Sequence, residues 1–115
     1  MNNKLAGFIP GIEKEKQAAY KKQIEALGND RELKFFVEKG SNEAHLGDRE
    51  ELNATLTYCR TENAVFAVAS VQGLTPRRWS SLQLLSDVAD LGIAIEVADD
   101  PVIDKQSIVV LAYSA

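Results

Sequence analysis

Three arginines, Arg49, Arg77 and Arg78, are the side chains of this chain best suited to hold a phosphate group. A guanidinium stays charged at any physiological pH, and its paired N–H donors match the oxygens of a phosphate. Arg77 and Arg78 follow Thr75-Pro76, a helix-start pattern in which exposed backbone amides would add to the attraction. These three arginines are therefore the candidate phosphate- or DNA-binding residues. The alternative for each arginine is an exposed position on a helix surface without a ligand. This alternative is favoured, because so few basic residues do not form the extended positive surface that nucleic-acid binding needs.

The remaining chemically capable residues lack the neighbours that catalysis or metal binding requires. Ser41 and Ser70 have no sequence-adjacent base to activate a hydroxyl, so both are interpreted as structural. His45 lies in a polar stretch and is expected to be exposed, whereas Cys59 falls on the inward side of its predicted helix. The aspartates of 99–101 precede a proline, a pattern more typical of a turn than of a metal or phospho-acceptor site. The sequence predicts no catalytic residue, metal site or cofactor.

Length and charge restrict the classes of protein that remain. The chain of 115 residues is long enough for one domain with a single core. Its 13 basic and 17 acidic residues give a net charge of −4, which argues against DNA binding over the whole surface but leaves room for a local patch. One Cys and one His exclude an internal disulfide and a zinc site made of these residues alone. We expect a cytoplasmic protein, because no signal peptide or membrane span is apparent.

Apolar segments that alternate with helical patterns predict the architecture. Strands are predicted at 4–9, 33–37, 64–69 and 93–97, and the third is expected to be central because it is apolar throughout. Helices are predicted at 13–27, from a capping Asp48 onward, and from a capping Thr75 to a closing Gly92. The prediction is a three-layer α/β/α domain with a mostly parallel sheet of four to five strands, in which residues 104–115 form either the fifth strand or a helix.

Each predicted helix has an apolar face that should pack against this sheet. The residues expected to point inward are Tyr20, Ile24 and Leu27 on the first helix, Leu52, Leu56 and Cys59 on the second, and Trp79, Leu82, Leu85 and Ala89 on the third.

Three local patterns resemble the catalytic domain of the serine recombinases, the family of resolvases and DNA invertases. They are the glutamines Gln17 and Gln23, the run Arg49-Glu50-Glu51-Leu52 followed by Tyr58-Cys59-Arg60 and Ala64, and the stretch from Gly92-Ile93 to Asp99-Asp100-Pro101. The order and spacing of these patterns cover nearly the whole chain. The resemblance implies a resolvase-like fold.

The residues that carry the family's chemistry are largely absent. The family has an aromatic residue, an arginine and the nucleophilic serine at alternate positions, where this chain has Phe8, Pro10 and Ile12. After the third strand, the family's Lys, Asp, Arg and further Arg correspond here to Ser70, Gln72, Gly73 and Pro76. Glu38 matches an acidic residue at the end of the second strand, and Arg49 is the one family arginine that is retained.

These losses predict a protein without recombinase chemistry. A covalent phosphoserine linkage needs a hydroxyl nucleophile, and each lost charged donor costs a factor of about 10²–10³ in rate. The sequence therefore predicts a non-catalytic, degenerate recombinase-like domain that acts as a protein-interaction or regulatory module. The alternatives are a DNA recombinase or nuclease-like domain that uses other residues, and a DNA-associated accessory protein that pairs with an active recombinase. The partners expected are a second copy bound through residues 108–113 and, weakly, DNA; no membrane partner or small-molecule substrate is identified.

Overall fold

Strands and helices alternate along the chain in the computed structural model, which describes residues 3–28, 30–40 and 49–98. The elements are β1 (Lys4–Ile9), α1 (Lys14–Gly28), β2 (Glu32–Val37), α2 (Glu50–Glu62), β3 (Val65–Val68), α3 (Arg78–Asp90) and β4 (Ile95–Val97). All four predicted strands and all three predicted helices are present. The predicted α/β class is confirmed.

The four strands form one parallel sheet in the order β2-β1-β3-β4. Phe8 lies beside Phe36 on one side of β1, and Ala6 lies beside Phe66 on the other. The apolar third strand is interior, as its sequence predicts. The first crossover connection places β2 on one side of β1, and the next connection passes back over β1 to place β3 on its other side. The point where the strand order changes side therefore lies between β1 and β3.

Two apolar clusters on opposite faces of the sheet make the domain three-layered. One cluster joins α2 and α3 to the sheet; its rings Phe8 and Phe66 stack with centroids 5.9 Å apart. The other cluster joins α1 to the opposite face through Leu5, Ile9 and Ile24. The three-layer α/β/α prediction is thereby confirmed.

Helix α1 lies very close to β1, and a glycine makes this approach possible. Ile24 is fully buried, while Tyr20 and Leu27 are partly buried against the same cluster, as predicted. A Cβ atom at Gly7 would lie 2.9 Å from Ile24 Cγ2 and 3.0 Å from Phe35 Cδ1. The absence of a side chain at Gly7 therefore sets how closely α1 packs on the sheet.

Helix α2 presents its predicted face to the core. Leu52 and Cys59 are buried, and Leu56 is partly buried beside them. Burial raises the pKa of the Cys59 thiol to about 12, which keeps it protonated and unreactive near neutral pH. The predicted cap Asp48 is outside the described residues; Arg49 occupies the N-cap position and makes no side-chain capping bond.

Helix α3 begins two residues later than its sequence predicts, at Arg78 instead of Pro76. Thr75 is not its N-cap: the Thr75 hydroxyl donates to the backbone oxygen of Arg77, 2.7 Å away, and the Thr75 amide donates to Ser81 Oγ, 3.0 Å away. These bonds hold 75–77 in a turn, so Arg77 takes the N-cap position and Pro76 precedes the helix. Gly92 ends the helix region with a φ of +82°, as predicted.

The prediction that Trp79 faces the core is wrong. Leu82, Leu85 and Ala89 are buried as expected, but Trp79 is 46% exposed. Leu84 and Val88 are also buried, so the buried face of α3 extends on the side of Leu85 that is away from Trp79. Trp79 itself lies about 120° around the helix axis from Leu85, outside this face. Its indole therefore belongs to the surface.

Replacing Trp79 with Ala is expected to lower the free energy of unfolding by about 1–2 kcal/mol, because only about half of this residue is removed from solvent. The matched change one turn later, Leu82→Ala, removes a fully buried side chain and should cost about 2–5 kcal/mol. Urea denaturation of both variants measures the difference. Equal losses would contradict the placement of Trp79 on the surface.

Within the part of the chain that the structure describes, no helix is long and apolar enough to cross a membrane. The strand or helix predicted for 104–115, the apolar segment 108–113 and the turn predicted at 99–101 lie outside the described residues.

Candidate functional site at the carboxyl edge of the sheet

The carboxyl ends of β1, β2 and β3 meet at one edge of the sheet, where doubly wound proteins usually bind ligands. Three segments emerge at this edge: 10–13 after β1, 38–40 after β2, and 69–77 after β3. Residue 49, which begins the approach to α2, returns to the same edge. Side chains from these segments determine whether the edge is open to a ligand.

A buried ion pair between Glu38 and Arg49 is the most charged feature of this edge. Arg49 Nε lies 2.7 Å from Glu38 Oε2, and Arg49 Nη2 lies 2.8 Å from Glu38 Oε1, a bidentate arrangement. Arg49 is 2% exposed and Glu38 is 5% exposed. The guanidinium carbon also lies 5.7 Å from the centroid of the Phe8 ring, so an aromatic face covers part of the cation.

Glu38 also ties the segment after β1 to the end of β2. Its Oε1 accepts a hydrogen bond of 2.7 Å from the Gly11 amide, and its own amide donates to the oxygen of Ile9. Gln17, from the first turns of α1, donates to the Pro10 oxygen at 2.8 Å and to the Glu38 oxygen at 3.3 Å. One carboxylate and one amide side chain thus hold three segments of the edge together.

The space between β1 and β3, where the strand order changes side, is occupied by the protein itself. Tyr20 donates a hydrogen bond from its hydroxyl to the Gln72 oxygen, 3.0 Å away. Gly73 has a φ of +87°, and a Cβ atom there would lie 3.5 Å from Ile12 Cγ2 and 3.6 Å from the Tyr20 hydroxyl oxygen. The segments after β1 and β3 are therefore in contact at the position where a ligand would otherwise enter.

The serine of this edge has a structural role. Ser70 is 9% exposed, and its Oγ accepts a hydrogen bond of 3.1 Å from the Gln72 amide two residues later. This pattern stabilises a turn, and among the described residues no base is hydrogen-bonded to the hydroxyl. Ser41 and His45 are not among the residues that the structure describes.

Two of the three predicted phosphate-binding arginines, Arg49 and Arg77, have side chains that the structure describes. Arg49 is buried against Glu38, so the alternative of a solvated helix arginine is wrong for this residue. Arg77 is exposed and borders a surface groove of about 450 Å³ next to Trp79 and Asp87. Arg78 begins α3, and the position of its side chain lies beyond what the structure describes. Of these two candidate side chains, Arg49 and Arg77, only that of Arg77 is accessible to a ligand.

The described residues also offer no metal centre, since no group of three or more His, Cys, Asp or Glu side chains converges among them. Cys59 lies inside the core, away from any such chemistry.

Sequence reasoning identified Glu38 and Arg49 separately but missed that they bind each other. A signal was present: Glu38 directly follows a strand, and Arg49 directly precedes the helix that returns over that strand. Parallel connections bring such positions to the same edge. An acidic and a basic residue there are expected to pair once water is excluded.

No protein-family model and no curated protein sequence matches this chain in comparisons with known proteins. The resemblance to the serine recombinases therefore rests on the residues of this sequence.

Proposed function

We propose that this chain is a non-catalytic recombinase-like domain that serves as a protein-interaction or regulatory module. The observation that carries the proposal is the buried pair of Glu38 and Arg49. Arg49, which matches an arginine of the resembled family, donates to a carboxylate and is buried away from solvent. The Arg49 guanidinium is then not available to stabilise the charge that develops in phosphoryl transfer.

A second support is the packing at the positions where the family places its arginine and nucleophile. Pro10 is buried, and its oxygen accepts from Gln17. Ile12 has an aliphatic side chain that packs close to Gly73: a Cβ atom added at Gly73 would lie 3.5 Å from Ile12 Cγ2. Neither residue offers a hydroxyl or a guanidinium to a sugar-phosphate backbone.

One observation favours the accessory DNA-associated alternative. Arg77 is exposed immediately before α3, where the first backbone amides of a helix are available to an anion. One described basic side chain is a small footprint against a net charge of −4. Weak and salt-sensitive association with DNA is therefore the most that this feature supports.

Incubation of the protein with supercoiled plasmid tests the proposal. We expect no nicked product and no protein–DNA adduct after denaturation, because no described hydroxyl at this edge has a base and a free guanidinium beside it. Ile12→Ser serves as a matched variant, and it too is expected to be inactive since the arginines remain absent. An adduct formed by the wild type and lost in Ser41→Ala or Ser70→Ala would establish the recombinase alternative.

Fluorescence anisotropy with a short duplex at physiological salt separates the accessory alternative from the proposal. No submicromolar binding is expected. Tight binding that weakens with salt and disappears in Arg77→Ala, but not in the exposed control Arg60→Ala, would support a DNA-associated protein instead.

A further inference from the structure

Strand β2 is an edge strand whose outer side is not paired with any strand among the described residues. The amide of Glu32 donates to the Asn3 oxygen, and the amide of Glu38 donates to the Ile9 oxygen, both at 2.9 Å. Because backbone direction alternates along a strand, the even-numbered residues between them also face β1. The N–H and C=O groups of Leu33, Phe35 and Val37 therefore point away from the sheet, along its outer side.

This outer side has few of the features that normally prevent strand pairing. Proteins protect edges with proline, bulges, short strands or charges. β2 has six residues without Pro or Gly, whereas the opposite edge strand, β4, has three. Val37 is 39% exposed. The charged residue in the middle, Lys34, lies with its ammonium 5.3 Å from the centroid of the Phe36 ring and 5.0 Å from that of Tyr58.

We propose that two copies of this chain associate through β2, antiparallel and centred on Phe35, to form one continuous eight-stranded sheet. The inference deepens the proposed function, on which it rests, by naming a second copy as a partner of the interaction module. Antiparallel pairing requires outward groups to face outward groups. Centring on Phe35 places Leu33 opposite Val37 of the second copy and allows six backbone hydrogen bonds across the two-fold axis.

The side chains are self-complementary in this register. On the α1 face, Phe35 lies opposite Phe35 of the second copy, and Leu33 lies opposite Val37, so the paired strand side chains are apolar. The Lys21 ammonium of α1 lies 5.2 Å from the centroid of each Phe35 ring and covers part of it. On the other face, Lys34 lies opposite Phe36 of the second copy, which offers its ammonium another aromatic ring. Shifting the centre to Lys34 would instead place two lysines directly opposite each other, which is destabilising.

The acidic residues at the ends of the strand do not oppose this arrangement. Glu32 falls opposite Glu38 of the second copy, but the Glu38 carboxylate is turned into the protein and neutralised by Arg49. A single strand pair is a small interface, so we expect a dissociation constant between about 1 µM and 1 mM.

Sedimentation equilibrium across a concentration range up to about 1 mM tests the association. The wild type is expected to form dimers, and Val37→Lys should weaken dimerisation at least about tenfold, since it places a charge opposite Leu33. Leu91→Lys is the matched control: Leu91 is also an exposed aliphatic residue, at 49%, but lies after α3. This control should dimerise as the wild type does, and circular dichroism confirms that both variants are folded.

Amide hydrogen exchange by NMR identifies the surface without any substitution. The amides of Leu33, Phe35 and Val37 should become protected only at concentrations where the dimer forms. Those of Lys34 and Phe36 should be protected at every concentration, because they bond to β1. A protein that stays monomeric near 1 mM overturns the inference, as does a dimer in which the three outward amides remain unprotected. DNA cleavage in the plasmid assay would refute the proposed function without producing either result, so the two failures are distinguishable.

Discussion

Replacing Arg49 with Leu is expected to lower the free energy of unfolding by about 3–5 kcal/mol, because Glu38 would keep a buried charge without its partner. Glu38 is 5% exposed, and its carboxylate accepts two hydrogen bonds, of 2.7 and 2.8 Å, from this guanidinium. The Gly11 amide alone cannot compensate a carboxylate in that position. Urea denaturation with linear extrapolation measures the loss.

Two further variants separate charge burial from simple truncation. Arg60→Leu alters an exposed arginine on the same helix and should change stability by no more than about 0.5 kcal/mol. The double variant Glu38→Leu/Arg49→Leu should be more stable than Arg49→Leu by at least about 1 kcal/mol, since no unpaired charge remains. If Arg49→Leu were as stable as Arg60→Leu, the pair would not be buried as described, and Arg49 would again be available to a phosphate.

Adding one methyl group at Gly7 is expected to destabilise the protein by about 1–3 kcal/mol. The new Cβ would lie 2.9 Å from Ile24 Cγ2, inside the distance that carbon atoms tolerate, and Phe35 closes the other side. Helix α1 would have to move away from β1. The same denaturation experiment on Gly7→Ala measures this cost.

A double-mutant cycle with Ile24 shows whether that contact is the cause. Ile24→Ala removes Cγ2 and should itself cost about 2–5 kcal/mol as a cavity in the core. In the Ile24→Ala background, Gly7→Ala should lower the free energy of unfolding by about 1 kcal/mol less than it does in the wild type, because the clashing atom is absent. Ile24→Val keeps Cγ2 and is the control, in which no relief is expected. Strict additivity of Gly7→Ala and Ile24→Ala would show that the approach of α1 is not limited at this point.

Stability and function are linked at the carboxyl edge. The bonds that Glu38 makes to Arg49, to the Gly11 amide and to the Ile9 oxygen are the bonds that close this edge. A side chain engaged in this way contributes to folding and is withdrawn from chemistry.

The sequence by itself determined the order and type of the elements. Alternation of apolar strands with helical patterns requires a parallel sheet covered on both faces, since each helix must bury its apolar side. Ile24 and Leu82 reach the core because their spacing matches the helical repeat. The lack of a hydroxyl at Ile12 and of a guanidinium at Pro10 is likewise a property of the sequence, and it needs no coordinates.

Only the tertiary structure decided which polar groups meet and where a face ends. Glu38 and Arg49 are eleven residues apart, and they can pair because α2 begins at the edge of the sheet where β2 ends. Trp79 is apolar and near the helical repeat, yet the late start of α3 and the arc of its contacts leave the indole outside. The spacing of apolar residues along the sequence indicates whether a segment is a helix or a strand and which side of it is apolar. Pairing and exposure depend on distances between elements, which are set only when the whole chain packs.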